Sequence, residues 1–115
     1  MHFVPPQSSP EFVAKSELAH ESGWLDVDIN TLQHKRFSNV FGHGDVANLP
    51  TSKTAAAIFS QTPVLVQNIL KELGHTDRGA SYGGYASCPV FVGDRKLLLC
   101  EFKYGKETDT TFWKD

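Results

Sequence analysis

Apolar residues recur at helical spacing along one long stretch of this chain and at strand spacing along several short ones. Ala55, Ile58, Phe59, Leu65, Val66, Ile69, Leu70 and Leu73, with Thr62 among them, follow a helix period. Thr51 or Ser52, just after Pro50, suits the N-cap, and Gly74 suits the stop, so the pattern predicts a helix over 51–73. Pro63 lies inside it, where the missing N–H predicts a kink or a break. Trp24-Leu25-Asp26-Val27-Asp28 alternates apolar and acidic residues and reads as a strand. Thr31-Leu32-Gln33 reads as a short partner strand, with Asn30 near the turn. Asn39-Val40-Phe41 reads as a buried strand end entering a glycine turn at Gly42. Residues 11–20 suit a short helix with Phe12, Val13 and Leu18 on its apolar side. Ahead of it, Pro5, Pro6 and Pro10 break any long element, and Phe3-Val4 reads as the tail of a strand. Residues 75–87 read as a glycine- and tyrosine-rich loop. Val90-Phe91-Val92, a turn at Gly93-Asp94-Arg95, and Lys96 to Tyr104 read as a β-hairpin. The polar tail after Gly105 is expected to fray, with Phe112 and Trp113 as docking residues.

Strand, glycine turn, long helix and hairpin, in that order, make a portion of an α/β layer. A lone parallel strand with one helix lacks the neighbours that would cover it, so the chain reads as cut from something larger. Composition agrees with a small globular unit: 115 residues, 40% apolar, 21% charged. The net charge is −2 with no basic run, which argues against a nucleic-acid partner. No apolar stretch approaches the roughly 20 residues of a membrane span, and Met-His-Phe-Val-Pro-Pro has no secretory pattern.

Gly42-His43-Gly44-Asp45-Val46-Ala47 formally matches G-x-G-x-x-A, the dinucleotide fingerprint. Two features count against that use. Pro50 delays the helix, and Asp45 would set a carboxylate against a pyrophosphate. The same residues suit a different task. An aspartate at a strand end accepts hydrogen bonds from a polyol, neighbouring backbone N–H groups hold a phosphate oxygen, and the following helix start favours negative charge. Lys53 in a helical first turn opposes the macrodipole, a cost of roughly 0.3–1 kcal/mol that an anionic ligand would remove. From the residues alone, a ligand role and an exposed lysine without one stand level. Cys88 and Cys100 do not make a disulfide framework. Cys88 lies before Pro89 where the loop meets a strand, and it reads either as a small buried hydrophobe or as a reactive thiol. Cys100 shares a strand face with Leu98 and Phe102 and reads as core. A Cys88–Cys100 pair is a minor reading that free-thiol measurement tests. The histidines at 2, 20, 34, 43 and 75 lack metal-ligand spacing, and His43 reads as structural in the turn. Asp26 and Asp28 read as solvated. Core packing is the reading for Tyr82, Tyr85, Phe91 and Phe102.

Three segments together carry a family resemblance. Asn39 to Ala57, with Gly44-Asp45-Val46-Ala47-Asn48-Leu49-Pro50-Thr51-Ser52-Lys53-Thr54-Ala55-Ala56-Ala57, resembles the second flavin-binding motif of the two-dinucleotide-domain flavoproteins, and in particular of the sulfide:quinone oxidoreductases. Tyr82-Gly83-Gly84-Tyr85-Ala86-Ser87-Cys88-Pro89 is similar to that family's Y-x-G-Y-x-S-C-P segment, and Trp24 to Asp28 with Thr31 to His34 also fit. The resemblance implies the C-terminal portion of an α/β, Rossmann-like FAD flavoprotein. Residues 1–38 would end its second Rossmann-like domain with return strands, 39–74 would hold the second FAD motif and helix, and 75–115 would begin the C-terminal interface and hairpin region. It implies an enzyme that oxidises sulfide through a cysteine disulfide and persulfide and passes electrons through FAD to quinone. Asp45 would bind the ribitol and Lys53 would lie near the flavin ring, with Gly44, Val46 and Thr54 close by. Cys88 would be the later of two redox cysteines, and Tyr82, Tyr85, Phe91 and Phe102 would have a place at the border of a quinone pocket in the whole enzyme. The implied location is peripheral to a bacterial cytoplasmic membrane or the mitochondrial inner membrane.

The chain departs from that pattern in lacking the ADP-binding G-x-G-x-x-G strand, the earlier cysteine and the membrane-docking segments. By itself it is therefore expected to hold no FAD, to be inactive and soluble, and to associate with itself through uncovered surface. A flavocytochrome c sulfide dehydrogenase, a type II NADH:quinone oxidoreductase (which S-C-P at Cys88 argues against) and a non-enzymatic oligomerisation module stay open beside this reading.

Overall fold

The computed structural model describes Phe3 and residues 5–111. The proposed strand tail at Phe3-Val4 and the docking of Phe112 and Trp113 involve residues outside those described. Four regular elements stand in chain order: α1 (Glu11–Ala14), α2 (Ala55–Glu72), β1 (Ala86–Gly93) and β2 (Lys96–Phe102). Short 3-10 turns occupy Gly44–Val46 and Tyr104–Lys106. The result is a small α/β arrangement with one long helix and one antiparallel hairpin.

The first half holds fewer regular elements than its pattern predicts. The helix expected over 11–20 stops at Ala14, where Lys15 begins a turn; Val13 is buried while Phe12 is 78% exposed. The strand expected over 24–28 forms only isolated bridges, Leu25 with Ala19 and Ala47, and Val27 with His34. Its alternation still sorts the faces, for Leu25 and Val27 are buried and pack with Val13 and Ala47 in the core. Thr31-Leu32-Gln33 is not a strand. The Asp28 carboxylate accepts from the backbone N–H groups of Asn30 and Thr31 at 3.0 and 2.8 Å and closes a turn. Leu32 then adopts φ +63, an uncommon conformation for a leucine, and its side chain is fully buried. Phe41 makes one bridge, to Gln33. His34 locks this region: its Nδ1 accepts from the N–H groups of Arg36 and Phe37, so Nε2 carries the proton and donates to the Leu18 carbonyl at 3.1 Å. Asp26 and Asp28 are therefore structural and not simply solvated, with Asp26 paired to Lys35 at 2.8 Å.

α2 begins later than predicted. Thr54 is its cap, its hydroxyl accepting from the Ala57 N–H at 3.2 Å. Thr51 is used elsewhere, donating to the Gly84 carbonyl at 2.8 Å. The helix runs through Pro63 without a break. Its buried positions are Ala57, Gln61 and Asn68, whereas Phe59 is 81% exposed and Val66, Leu70 and Leu73 are exposed too. Amides thus do the anchoring. Asn68 donates to the Thr31 and Ala80 carbonyls and accepts from the Ala80 N–H, fastening the long loop to the helix.

The hairpin extends further back than predicted, so that Cys88 and Pro89 lie within β1. Its turn carries Asp94 and Arg95 at φ +49 and +58, the two positive values a type I′ turn demands. A register shift between Phe91 and Gly93 leaves Val92 in a bulge. Tyr85 donates to Glu101 at 2.6 Å at the base, and Tyr82, fully buried, donates to the Tyr85 carbonyl at 2.5 Å. Phe102 is half-buried. Phe91, in contrast, is 73% exposed near the turn, which corrects its core assignment. The core assignment of Cys100 fails as well: it is only half-buried, because Leu98 on the same face is itself exposed.

Candidate functional site

The Gly42–Ala47 turn and the approach to α2 enclose a narrow cleft lined by Gly44, Asp45, Ala47, Leu49, Thr51 to Thr54, Ala57, Ile58 and Gln61. Its enclosed space, about 10 Å³, suits a single water. Packing dictates the turn's glycines. A Cβ on Gly42 would stand 2.1 Å from Leu25 Cδ2. Gly44 has φ +73, and its N–H donates to Gln61 Oε1 at 2.7 Å. Gln61 is fully buried, so this one bond fixes the turn to the helix.

Asp45 is exposed, and among the described residues its carboxylate accepts no hydrogen bond. Lys53 reaches back to the same turn. Its ammonium donates to the Asp45 carbonyl at 2.5 Å and the Ala47 carbonyl at 3.1 Å, and it sits 3.9 Å from the centre of the Trp24 ring. Loss of solvent there pulls its pKa below the usual lysine value, partly offset by the Asp45 charge. Lys53 precedes the cap and so is not in the first turn of the helix, which removes the macrodipole penalty expected from the sequence. The first free N–H groups of α2 lie beyond Thr54, at the cleft.

The structure thus brings Gly44, Asp45, Lys53 and Thr54 together. Val46 lines a separate groove with Trp24 and Pro10, and packs on the core. Cys88 is in neither; it is exposed on β1, whose start is tied to the cleft through the bond from Thr51 to Gly84. The sequence pattern missed Gln61 and Trp24. A glutamine within an apolar helical run was the available signal for the first; nothing local marks the second. A wider groove joins Leu49 to Ser52 with Phe102, Lys103 and Lys106. His43 sits before the 3-10 turn with its Nδ1 buried and unpartnered among the described residues. No group of three or more metal-ligating side chains occurs among the described residues, and no helix there is long and apolar enough to cross a membrane.

No protein-family model matches the chain. Curated proteins do. It is 48% identical to the mitochondrial sulfide:quinone oxidoreductase of Schizosaccharomyces pombe and 43% identical to that of Mus musculus, each over 97% of its length. It is 46% identical to the mitochondrial enzyme of Dictyostelium discoideum over 95%. The chain spans about a quarter of these relatives, 24–25% of their lengths. It is also similar in structure, at a TM-score of 0.82 and 38% identity, to a chain in the cryo-EM structure of the Tetrahymena thermophila mitochondrial ATP synthase F1Fo tetramer, covering 90% of this chain and 25% of that one. The class these curated relatives share is the oxidoreductases. Within it, the chain matches a C-terminal portion of the sulfide:quinone oxidoreductase family.

Proposed function

We propose that this chain supplies the ribitol and ring side of the flavin site, and one redox thiol, of an FAD-dependent sulfide:quinone oxidoreductase with a Rossmann-like body. The observation that carries the reading is what stands at the mouth of the cleft, whose interior has room only for a water. The residues that resemble the flavin motif converge on one helix start, and they leave an exposed, acceptor-only carboxylate at its mouth. Such a carboxylate fits hydroxyl donors of a ribitol. Lys53 and the start of α2 put positive potential beside it, which suits a ligand that gains negative charge. Gly44 and Val46 hold the backbone shape of the turn, and Thr54 fixes where the helix begins.

When bound, FAD would supply two-electron transfer between the thiol side and quinone. The chain's own chemical contribution is Cys88, whose exposed thiol is open to exchange with a second cysteine contributed from elsewhere. Tyr85 and Phe102 stand at the hairpin base, on the side proposed for quinone. Location at a mitochondrial inner membrane or a bacterial membrane surface belongs to the same proposal, as does the division at residues 38 and 74.

A chain of similar structure stands in an ATP synthase assembly, so the test must read chemistry and not fold. The matching segment of the S. pombe relative is exchanged for this chain, and sulfide-dependent quinone reduction is followed. The exchanged enzyme is expected to turn over, and its Cys88→Ser form is expected to lose at least about a hundredfold in rate with its flavin retained. Undiminished turnover in Cys88→Ser would overturn the reading.

A further inference from the structure

We propose that Cys88 and Cys100 form a reversible disulfide site across the hairpin, closed by exchange with a small-molecule disulfide of the oxidised glutathione class. The register of β1 and β2 sets Cys88 directly opposite Cys100. Directly opposed residues of an antiparallel pair project from the same face of the sheet. Pro89, opposite Leu99, has no N–H to give the ladder, so its pair is of the kind whose N–H groups point away from the partner strand. Alternation then makes Cys88–Cys100 a hydrogen-bonded pair, with Cα atoms about 5.5 Å apart. That lies inside the roughly 4.4–6.8 Å that disulfides span. Because the hairpin already holds the two residues in register, closure requires only that their Cβ atoms, about 5 Å apart in such a pair, draw in to about 4 Å.

Exposure divides the roles. Cys88 is exposed and Cys100 half-buried, so the small disulfide meets Cys88 first. The Cys88 thiolate attacks one sulfur of the reagent, its S–S bond breaks, and one small thiolate leaves and takes up a proton. The Cys100 thiolate then attacks the Cys88 sulfur of the mixed disulfide and expels the second small thiol. Two protein S–H bonds are lost and one S–S bond is gained. The reagent is reduced to two thiols that carry the two protons. In the closed form Cys88 has no thiol to offer any other partner, so the hairpin acts as a redox cap on its own exposed cysteine. This pairing does not depend on the flavin reading.

The test equilibrates the full chain in glutathione buffers of graded oxidation, quenches with acid, alkylates, and digests with trypsin without reduction. Cleavage after Arg78, Arg95, Lys96 and Lys103 puts the two cysteines on separate peptides. Oxidising buffer is expected to remove both alkylatable thiols from the monomer and to leave those two peptides joined. In Cys100→Ser, glutathione should instead accumulate on Cys88 as a stable mixed disulfide. Glutathione on Cys88 of the native chain to the same extent as in Cys100→Ser overturns the proposal, and so does bridging only between chains. Should Cys100→Ser lose its fold by circular dichroism, the joined peptides of the native chain decide alone.

Discussion

Lys53 shows how surroundings settle a residue's part. Its two carbonyl partners and the Trp24 ring make it a clamp on the Gly44–Val46 turn, whatever ligand arrives later. Lys53→Met keeps the stem and removes the ammonium. It is expected to lower stability by about 1 kcal/mol, discounted for the site's exposure, as a shift in urea midpoint with unchanged slope. Asp28 gives a pH signature. Bonding from the Thr31 N–H, then from that of Asn30, holds its carboxyl below the usual carboxylate value. A carboxylate so depressed stabilises the fold fully above about pH 4, and that stabilisation is lost as pH falls through the folded-state pKa. Asp28→Ala should therefore cost about 1 kcal/mol at pH 7, and the gap to the native chain should narrow at pH 3. A gap that stays constant across urea titrations at the two pH values would count against the Asx turn. The glycine turn and its aspartate were legible in the sequence because glycine and aspartate carry their conformational reasons with them. The lysine clamp was not, because its indole partner lies far away along the chain.

At the scale of elements, the existence of α2 and of the hairpin followed from period and length, while their ends did not. α2 starts at Ala55 because Thr51 is committed to Gly84 and Thr54 is free to cap. β1 starts at Ala86 because Tyr82 and Tyr85 anchor the segment before it. The alternation at 24–28 gave the correct buried face but no strand, since only isolated bridges flank it. The hairpin turn holds one clear strain. Arg95 occupies φ +58, where a Cβ costs roughly 1 kcal/mol. Arg95→Gly creates Asp94-Gly, the preferred type I′ pair, and should raise stability by about 0.5 kcal/mol after glycine's own entropy cost. A fall in the thermal midpoint would contradict the assigned turn.

At the scale of the whole molecule, apolar surface is the main feature. Phe59, Val66, Leu70 and Leu73 recur at heptad-like spacing along α2, and Val90 to Val92 with Leu97 to Leu99 crowd the hairpin, all exposed. The helical period in the sequence identified an apolar face without telling which face packs inward; Gln61 and Asn68 decided that through hydrogen bonds no hydrophobic pattern encodes. In the proposed reading, the remainder of an oxidoreductase of the relatives' length covers these faces, and the cleft at α2 completes a flavin site there. In that reading the role of Asp45 is to hold the ribitol. Its most direct measurement is the ratio of flavin to protein in the S. pombe enzyme carrying this segment, compared with the same enzyme bearing Asp45→Ala. A normal ratio is expected in the first and a loss of at least about tenfold in retained flavin in the second, the effect of roughly 1.4 kcal/mol or more of lost binding. Full flavin content in Asp45→Ala, with the fold intact, would contradict it.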